Sequence, residues 1–179
     1  PHATPTPNVV YASHTNSYQI FSTWFFVIVF ALFILWGWYL NGKSFKGYKD
    51  LLKSTGHTTD FFAEYGAPKV IMNIGFYGFL VFTYFLLVIS FTDGAGFTGP
   101  TVGVILAAMT FSSQGQHPAN VWPIFVGYIT LSLLVTILCS LAGLDIPWTL
   151  STQGYINGAA FATGLCPIAG RYGRRYGVI

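Results

Sequence analysis

The sequence says most through what it lacks. Asp, Glu, Lys and Arg make up only 7% of its 179 residues, where a soluble domain carries about 25%. A chain this poor in charge cannot clothe a water-facing surface, which excludes an ordinary soluble globule. The formal net charge is +3 and no basic run occurs, so nucleic acid is excluded as a partner. There are two cysteines, Cys139 and Cys166, both in apolar stretches. They read as small core hydrophobes and imply neither a disulfide nor a redox compartment. H-E-x-x-H, G-x-S-x-G and a carboxylate pair inside an apolar run are all missing. The chain is therefore expected not to be an enzyme and to carry no cofactor or metal. Ser112, Ser113 and His117 lie close together, but no acid stands near enough in sequence to orient the imidazole. His57 is isolated in a polar loop, and no His falls inside a long apolar segment, which disfavours haem or pigment binding.

What is abundant is apolar bulk. Hydrophobic residues reach 53%, aromatics 18%, and the mean hydropathy is +0.58. These values predict an all-α integral membrane protein with about five hydrophobic helical segments. Two of the five are short and interrupted by Gly and Pro.

Residues 1–17 read as an extended polar tail containing Pro1, Pro5, Pro7, His2 and His14, without Lys or Arg. The chain opens on Pro1 rather than Met, which leaves room for an upstream piece that has been removed. Residues 18–179 form one transmembrane domain. Its first span, 18–40, has no charge and carries Tyr18 and Trp24 near one end and Trp36, Trp38 and Tyr39 at the other. That is the aromatic belt of a helix crossing two interfaces. Residues 41–69 are the one substantial polar loop, with Lys43, Lys46, Lys49, Lys53 and Lys69. Ser44 to Leu52 predicts a short amphipathic helix on the membrane surface. Short basic loops face the cytoplasm, so the tail should lie outside. Residues 70–91 are a second span. Its small Gly75 and Gly78 suit close helix packing, and Asn73 is expected to hydrogen-bond a neighbouring helix. Residues 120–143 are a third span, with Asn120 as a natural N-cap and Pro123 in the first turn. Thr130, Ser132, Thr136 and Ser140 are expected to bond back to their own helix.

The rest of the chain is arranged around residues 93–123, which are rich in Gly, Pro and small polar side chains although they lie between two long apolar segments. The apolar middle, 97–113, is short for a span, which needs roughly 20 residues. Thr98 or Gly99 should cap this helix, with Pro100 in its first turn. A helix starting there directs unpaired N–H groups at whatever lies beyond it. Gly99 and Gly103 have the G-x-x-x-G spacing that admits a second helix closely. The helix should stop at Gln114-Gly-Gln-His-Pro118, because Pro118 disfavours helical geometry at His117. Residues 155–170 repeat this style, with Gly154 and Gly158 again at G-x-x-x-G spacing and Pro167 breaking the run. The closing Arg171, Arg174 and Arg175 are expected to be cytoplasmic. Five crossings satisfy this charge pattern. Three crossings with 97–113 and 155–170 as re-entrant helices satisfy it equally well.

Three motifs then read together: Thr98-Gly-Pro-Thr-Val-Gly103, Phe111-Ser-Ser-Gln-Gly-Gln-His-Pro-Ala-Asn120, and Cys166-Pro-Ile-Ala-Gly170 with Tyr172-Gly173 after it. Over about residues 96–179 the chain resembles an uncharacterised family of prokaryotic multi-spanning membrane proteins, domain of unknown function number 1576. Two positions depart from the family pattern: Thr98 stands where Asn is expected, and Gln116 where Lys is expected. The resemblance implies a multi-pass protein of the cell envelope, one module of a longer or repeated protein, and no assigned activity.

The leading expectation is a solute transporter or channel-like module built on broken helices around 97–120 and 155–170. Its expected substrate-binding residues are Thr98, Thr101, Gln114, Gln116, His117 and Asn120. No Asp, Glu, Lys or Arg lies well inside a span, which argues against a proton pump. The alternative is a non-catalytic accessory or scaffold subunit of a larger membrane complex. Expected partners are the lipid bilayer and either a second copy of the chain or another membrane subunit. The expected location is the inner (plasma) membrane.

Overall fold

The computed structural model describes residues 15–56, 60–92, 96–146, 148–150 and 152–179. Most of the expected tail, including His2 and His14, lies outside the described residues, as does His57. The described residues are helical, with no strand among them. The elements are α1 (Thr15–Leu40), α2 (Tyr48–Leu51), α3 (Phe61–Tyr65), α4 (Ala67–Phe91), α5 (Gly99–Phe111), α6 (Pro118–Ala142), α7 (Gln153–Ala162), α8 (Cys166–Tyr172) and α9 (Arg174–Val178). One-turn 3₁₀ segments, Ser112–Gln114 and Thr163–Leu165, extend α5 and join α7 to α8.

Among the described residues three helices are long and apolar enough to cross a membrane: α1 over Thr23–Leu40, α4 over its whole length, and α6 over its whole length. Their bounds follow from local chemistry. Gly66 (φ 82°) separates α3 from α4, whose first turn takes Pro68. Thr98 caps α5, its hydroxyl accepting from the Thr101 N–H. Gly143 (φ 65°) ends α6 in a left-handed turn that lets the Leu144 N–H reach the Cys139 carbonyl at 2.9 Å, the usual way to satisfy orphan carbonyls. At its other end α6 starts earlier than expected. Its cap is His117, held extended as Pro118 requires, and Asn120 is inside the first turn.

α1 and α4 pack antiparallel at very short range. A methyl group at Gly37 would meet the Met72 backbone N at 2.5 Å, and one at Gly75 the Phe30 carbonyl at 2.6 Å. Bare glycine surfaces of this kind let helices gain dispersion contact where the hydrophobic effect between them is absent. Above them Phe26, Phe30, Phe82 and Phe97 form an aromatic core, with Phe26–Phe82 centroids 5.4 Å apart. Tyr84 of α4 stacks on Phe125 of α6 at 4.4 Å.

Two expectations about glycine and the loop are corrected. Gly99 and Gly103 meet nothing within 4 Å, and neither does Gly154, while Gly158 meets only the Tyr128 hydroxyl. The close helix approach uses α1 and α4 instead. The Ser44–Leu52 stretch is not a free surface helix either. It contracts to the single turn of α2, whose Tyr48 and Leu51 are buried with Phe61, Val70 and Met72.

Candidate functional site

The six residues expected to bind substrate fall into two clusters at opposite ends of α5. Thr98 and Thr101 stand at its start; Gln114, Gln116, His117 and Asn120 follow its end. Thirteen helical residues separate the two, roughly 20 Å at 1.5 Å per residue. The structure does not bring the six residues together.

The cluster after α5 is organised by Asn73, which is fully buried in the second turn of α4. Its amide donates to the carbonyls of Gln116 (2.7 Å) and Ser112 (3.2 Å), and its oxygen accepts from the Tyr48 hydroxyl at 3.2 Å. One side chain thus ties α2, α4 and the turn after α5. Asn120 locks the same turn from the other side: its oxygen accepts from the His117 N–H at 2.9 Å and its amide donates to the Gly115 carbonyl at 3.1 Å. Gly115 (φ 113°) lies against Gly56 (φ 79°), and a β-carbon at Gly56 would collide with the Asn120 amide at 2.5 Å. His117 Nε2 stands 3.1 Å from the Ser54 carbonyl. A carbonyl only accepts, so Nε2 carries the proton. Gln114 is exposed and takes no part. This cluster is chiefly a clasp: loop 54–56 is inserted between the 115–117 turn and α8. Among the described residues, buried Gln116 Oε1 and His117 Nδ1 have no hydrogen-bond partner.

Burial pushes the His117 imidazole down from 6.5 to about 4, against the opposing pull of the Ser54 carbonyl. The unfolded chain takes up this proton as pH falls through 6.5, whereas the folded chain resists until about 4. The contribution of neutral His117 is therefore complete above pH 6.5 and is lost as pH falls between these values. The total is about 3 kcal/mol. Melting in detergent at pH 7.5 and at pH 4.5 should show a larger drop for the parent than for His117→Gln. Equal drops would mean that His117 is not the group titrating.

The second cluster lies where α5 and α7 begin side by side. The Thr98 and Thr101 hydroxyls are 2.9 Å apart. Thr101 also donates to the Asn157 oxygen (3.2 Å) and accepts from the Gln153 amide (2.8 Å). The Gln153 oxygen in turn accepts from the Gly96 N–H at 2.9 Å. Both helices start recessed, because the segments before them turn back along the long helices. Phe97 packs on Phe82, about nine residues short of the end of α4. The Leu150 N–H is held by the Ser132 hydroxyl at 2.9 Å, about ten residues short of the end of α6. Each recess is roughly 14 Å deep along its helix. Beside it Trp148, Tyr155 and Tyr128 stack in series, with centroids 4.9 and 4.3 Å apart.

Gln153 and Asn157 are the polar residues that sequence reasoning missed. Their i, i+4 spacing places them on one face of α7, and that was the available signal. Ser132 departs from the expected bond to its own helix, since it serves the Leu150 loop instead; Thr136 does bond back, to the Ser132 carbonyl at 2.8 Å.

Three long apolar helices, two shorter helical runs and internally paired polar clusters define the class, a helical bundle with the character of a membrane protein. The chain belongs to the family described as protein of unknown function (DUF1576), whose model matches residues 40–178. The match reaches beyond the 96–179 motifs to include loop 41–69 and α4. Comparison with curated proteins and with solved structures found no match.

Proposed function

We propose that the chain is a module for binding and passing a small polar solute, with its site at the paired, recessed starts of α5 and α7. The observation that carries this reading is the convergence of two helix starts with Thr98, Thr101, Gln153 and Asn157. Helix N-termini offer N–H groups and partial positive charge, and discontinuous helices meeting inside a bundle are a recurring way to build a transport site. On this reading Thr98 and Thr101 remain site residues, Gln153 and Asn157 join them, and the Gln116–Asn120 turn is a structural clasp.

We further propose five crossings. Helix α5 with its 3₁₀ turn runs from Gly99 to Gln114, and α7 to α8 runs from Gln153 to Tyr172. These are roughly 24 and 30 Å long, against a hydrocarbon core of about 30 Å. The two ends of α5 contact different levels of α4, Phe97 at Phe82 and Ser112 at Asn73. Gly170 of α8 lies against Thr55 of the lysine loop, so all eight Lys and Arg gather at one end of the bundle. The positive-inside rule makes that end cytoplasmic.

The test is osmotic reswelling of proteoliposomes shocked with glycerol, urea or sodium formate. Flux above that of empty liposomes is expected for at least one solute. Asn157→Leu should cut it at least tenfold with insertion unchanged. Flux indifferent to both Asn157→Leu and Thr101→Val would remove the site.

The accessory-subunit reading has its own support. Gly99 and Gly103 present an open small-residue face, and Leu131, Leu134, Leu138 and Leu141 of α6 are exposed. It predicts no flux and a partner that copurifies.

A further inference from the structure

A lateral groove of about 500 Å³ runs between α6 and the α7–α9 segment, walled by Leu131, Leu134, Leu165, Ile168 and Tyr176. Its walls are largely apolar. A second hollow of about 500 Å³ is lined by Thr55, Pro167, Ile168, Arg171 and Tyr172. Ile168 lines both, so the apolar groove and the hollow that carries Arg171 are neighbours. Each volume falls within the range of about 300–1,000 Å³ typical of a small-ligand site.

The charge at that end is unbalanced. Arg171, Arg174 and Arg175 are all exposed, and no carboxylate among the described residues lies within ion-pair distance of them. Aromatic side chains frame them. The Arg174 guanidinium lies 5.9 Å from the Trp122 ring centroid and that of Arg171 5.9 Å from the Tyr172 ring centroid. Tyr and Trp beside exposed arginines mark the headgroup level of a bilayer, where each basic residue attracts anionic lipid.

We propose that this pair of hollows is a binding site for one anionic phospholipid. An acyl chain lies in the α6/α7–α9 groove, and the headgroup phosphate sits at Arg171 with the Thr55 hydroxyl beside it. Charge complementarity selects this occupant. A purely apolar partner would leave Arg171 unpaired, while a zwitterionic lipid would set its own cation against the three arginines. The site also gives the bound lipid a structural role. It bridges α8 and loop 54–56, the two elements that close the clasp at the cytoplasmic end.

The test uses the full chain, delipidated in detergent and titrated in native mass spectrometry. The probes are phosphatidylglycerol and phosphatidylcholine with identical acyl chains. Phosphatidylglycerol should bind at least fivefold tighter. Arg171→Gln should lower that preference about fivefold, from the roughly 1 kcal/mol that one basic residue contributes. Arg171→Lys should keep it. Leu131→Trp, which fills the groove from an exposed position, should weaken both lipids alike. Equal binding of the two lipids by the parent overturns the proposal, as does a preference that survives Arg171→Gln. A dimer that Leu131→Trp dissociates, with lipid binding unaltered, would assign the groove to a second copy instead.

Discussion

Replacing Asn73 by Leu is expected to cost about 3 kcal/mol of stability, a large fraction of a net stability of about 5–15 kcal/mol. The apolar side chain would fit its buried surroundings, yet it removes both donors that serve the Ser112 and Gln116 carbonyls. Those carbonyls stay buried and lose their partner, so the cost is that of unsatisfied acceptors rather than of the lost bonds alone. Tyr48→Phe provides the calibration. It removes one bond to the Asn73 oxygen and should cost about 1 kcal/mol. Because the two residues share a bond, the double variant should cost less than the sum. Thermal melts followed by tryptophan fluorescence in detergent would measure all three. Strict additivity would mean that the two side chains do not interact, and a neutral Asn73→Leu would dismiss the clasp.

The second large effect is expected at Gly170. Its missing β-carbon is where the Thr55 backbone passes, so an alanine methyl would collide with the Thr55 carbonyl. Backbone cannot rotate aside as a side chain can, so Gly170→Ala should cost about 3 kcal/mol. It should also lift loop 54–56 from α8 and break the His117–Ser54 contact. A cysteine placed at Thr55, after replacement of Cys139 and Cys166, should then react faster with a water-soluble maleimide. Gly103→Ala is the control. Its methyl meets nothing within 4 Å, so the gain in helix propensity should stabilise by up to about 1 kcal/mol. The same substitution should thus change sign between two helices, as the surroundings of each glycine dictate. A mild Gly170→Ala would show that the loop is free to yield.

Much of this protein was legible one residue at a time. The three long helices were readable because each is a long run that is mostly apolar and poor in charge, and transfer to lipid sums over side chains whatever they touch. The capped start of α5 followed from Thr98-Gly-Pro100, and the extended His117 from Pro118, because both are rules of neighbouring backbone. Asn73 was expected to bond a neighbouring segment and does so. Other features have a meaning that depends on the other side of the contact. Gly99 and Gly103 are open and Gly158 meets Tyr128, whereas the close crossing is made by Gly37 with Gly75 and Gly78, of which the last two are legible as a packing surface in the sequence. Gln114, Gln116, His117 and Asn120 are polar and adjacent in sequence, but what they meet is decided by α4 and loop 54–56. His117 and Asn120 hydrogen-bond to backbone, Gln116 is held through its carbonyl by Asn73, and Gln114 is exposed.

By itself, then, the sequence determined the class of the protein, its long helices, the Thr98 cap of α5 and the family to which it belongs. Those properties come from composition and from bonds within a few residues, which no distant contact can undo. Only the tertiary structure decided which polar atoms meet: Asn73 with Ser112, His117 with Ser54, and Thr101 with Asn157. Those partners are separated by 39, 63 and 56 residues. Hydrogen bonds fail over less than an ångström, so such pairs exist only once packing has set the helices side by side.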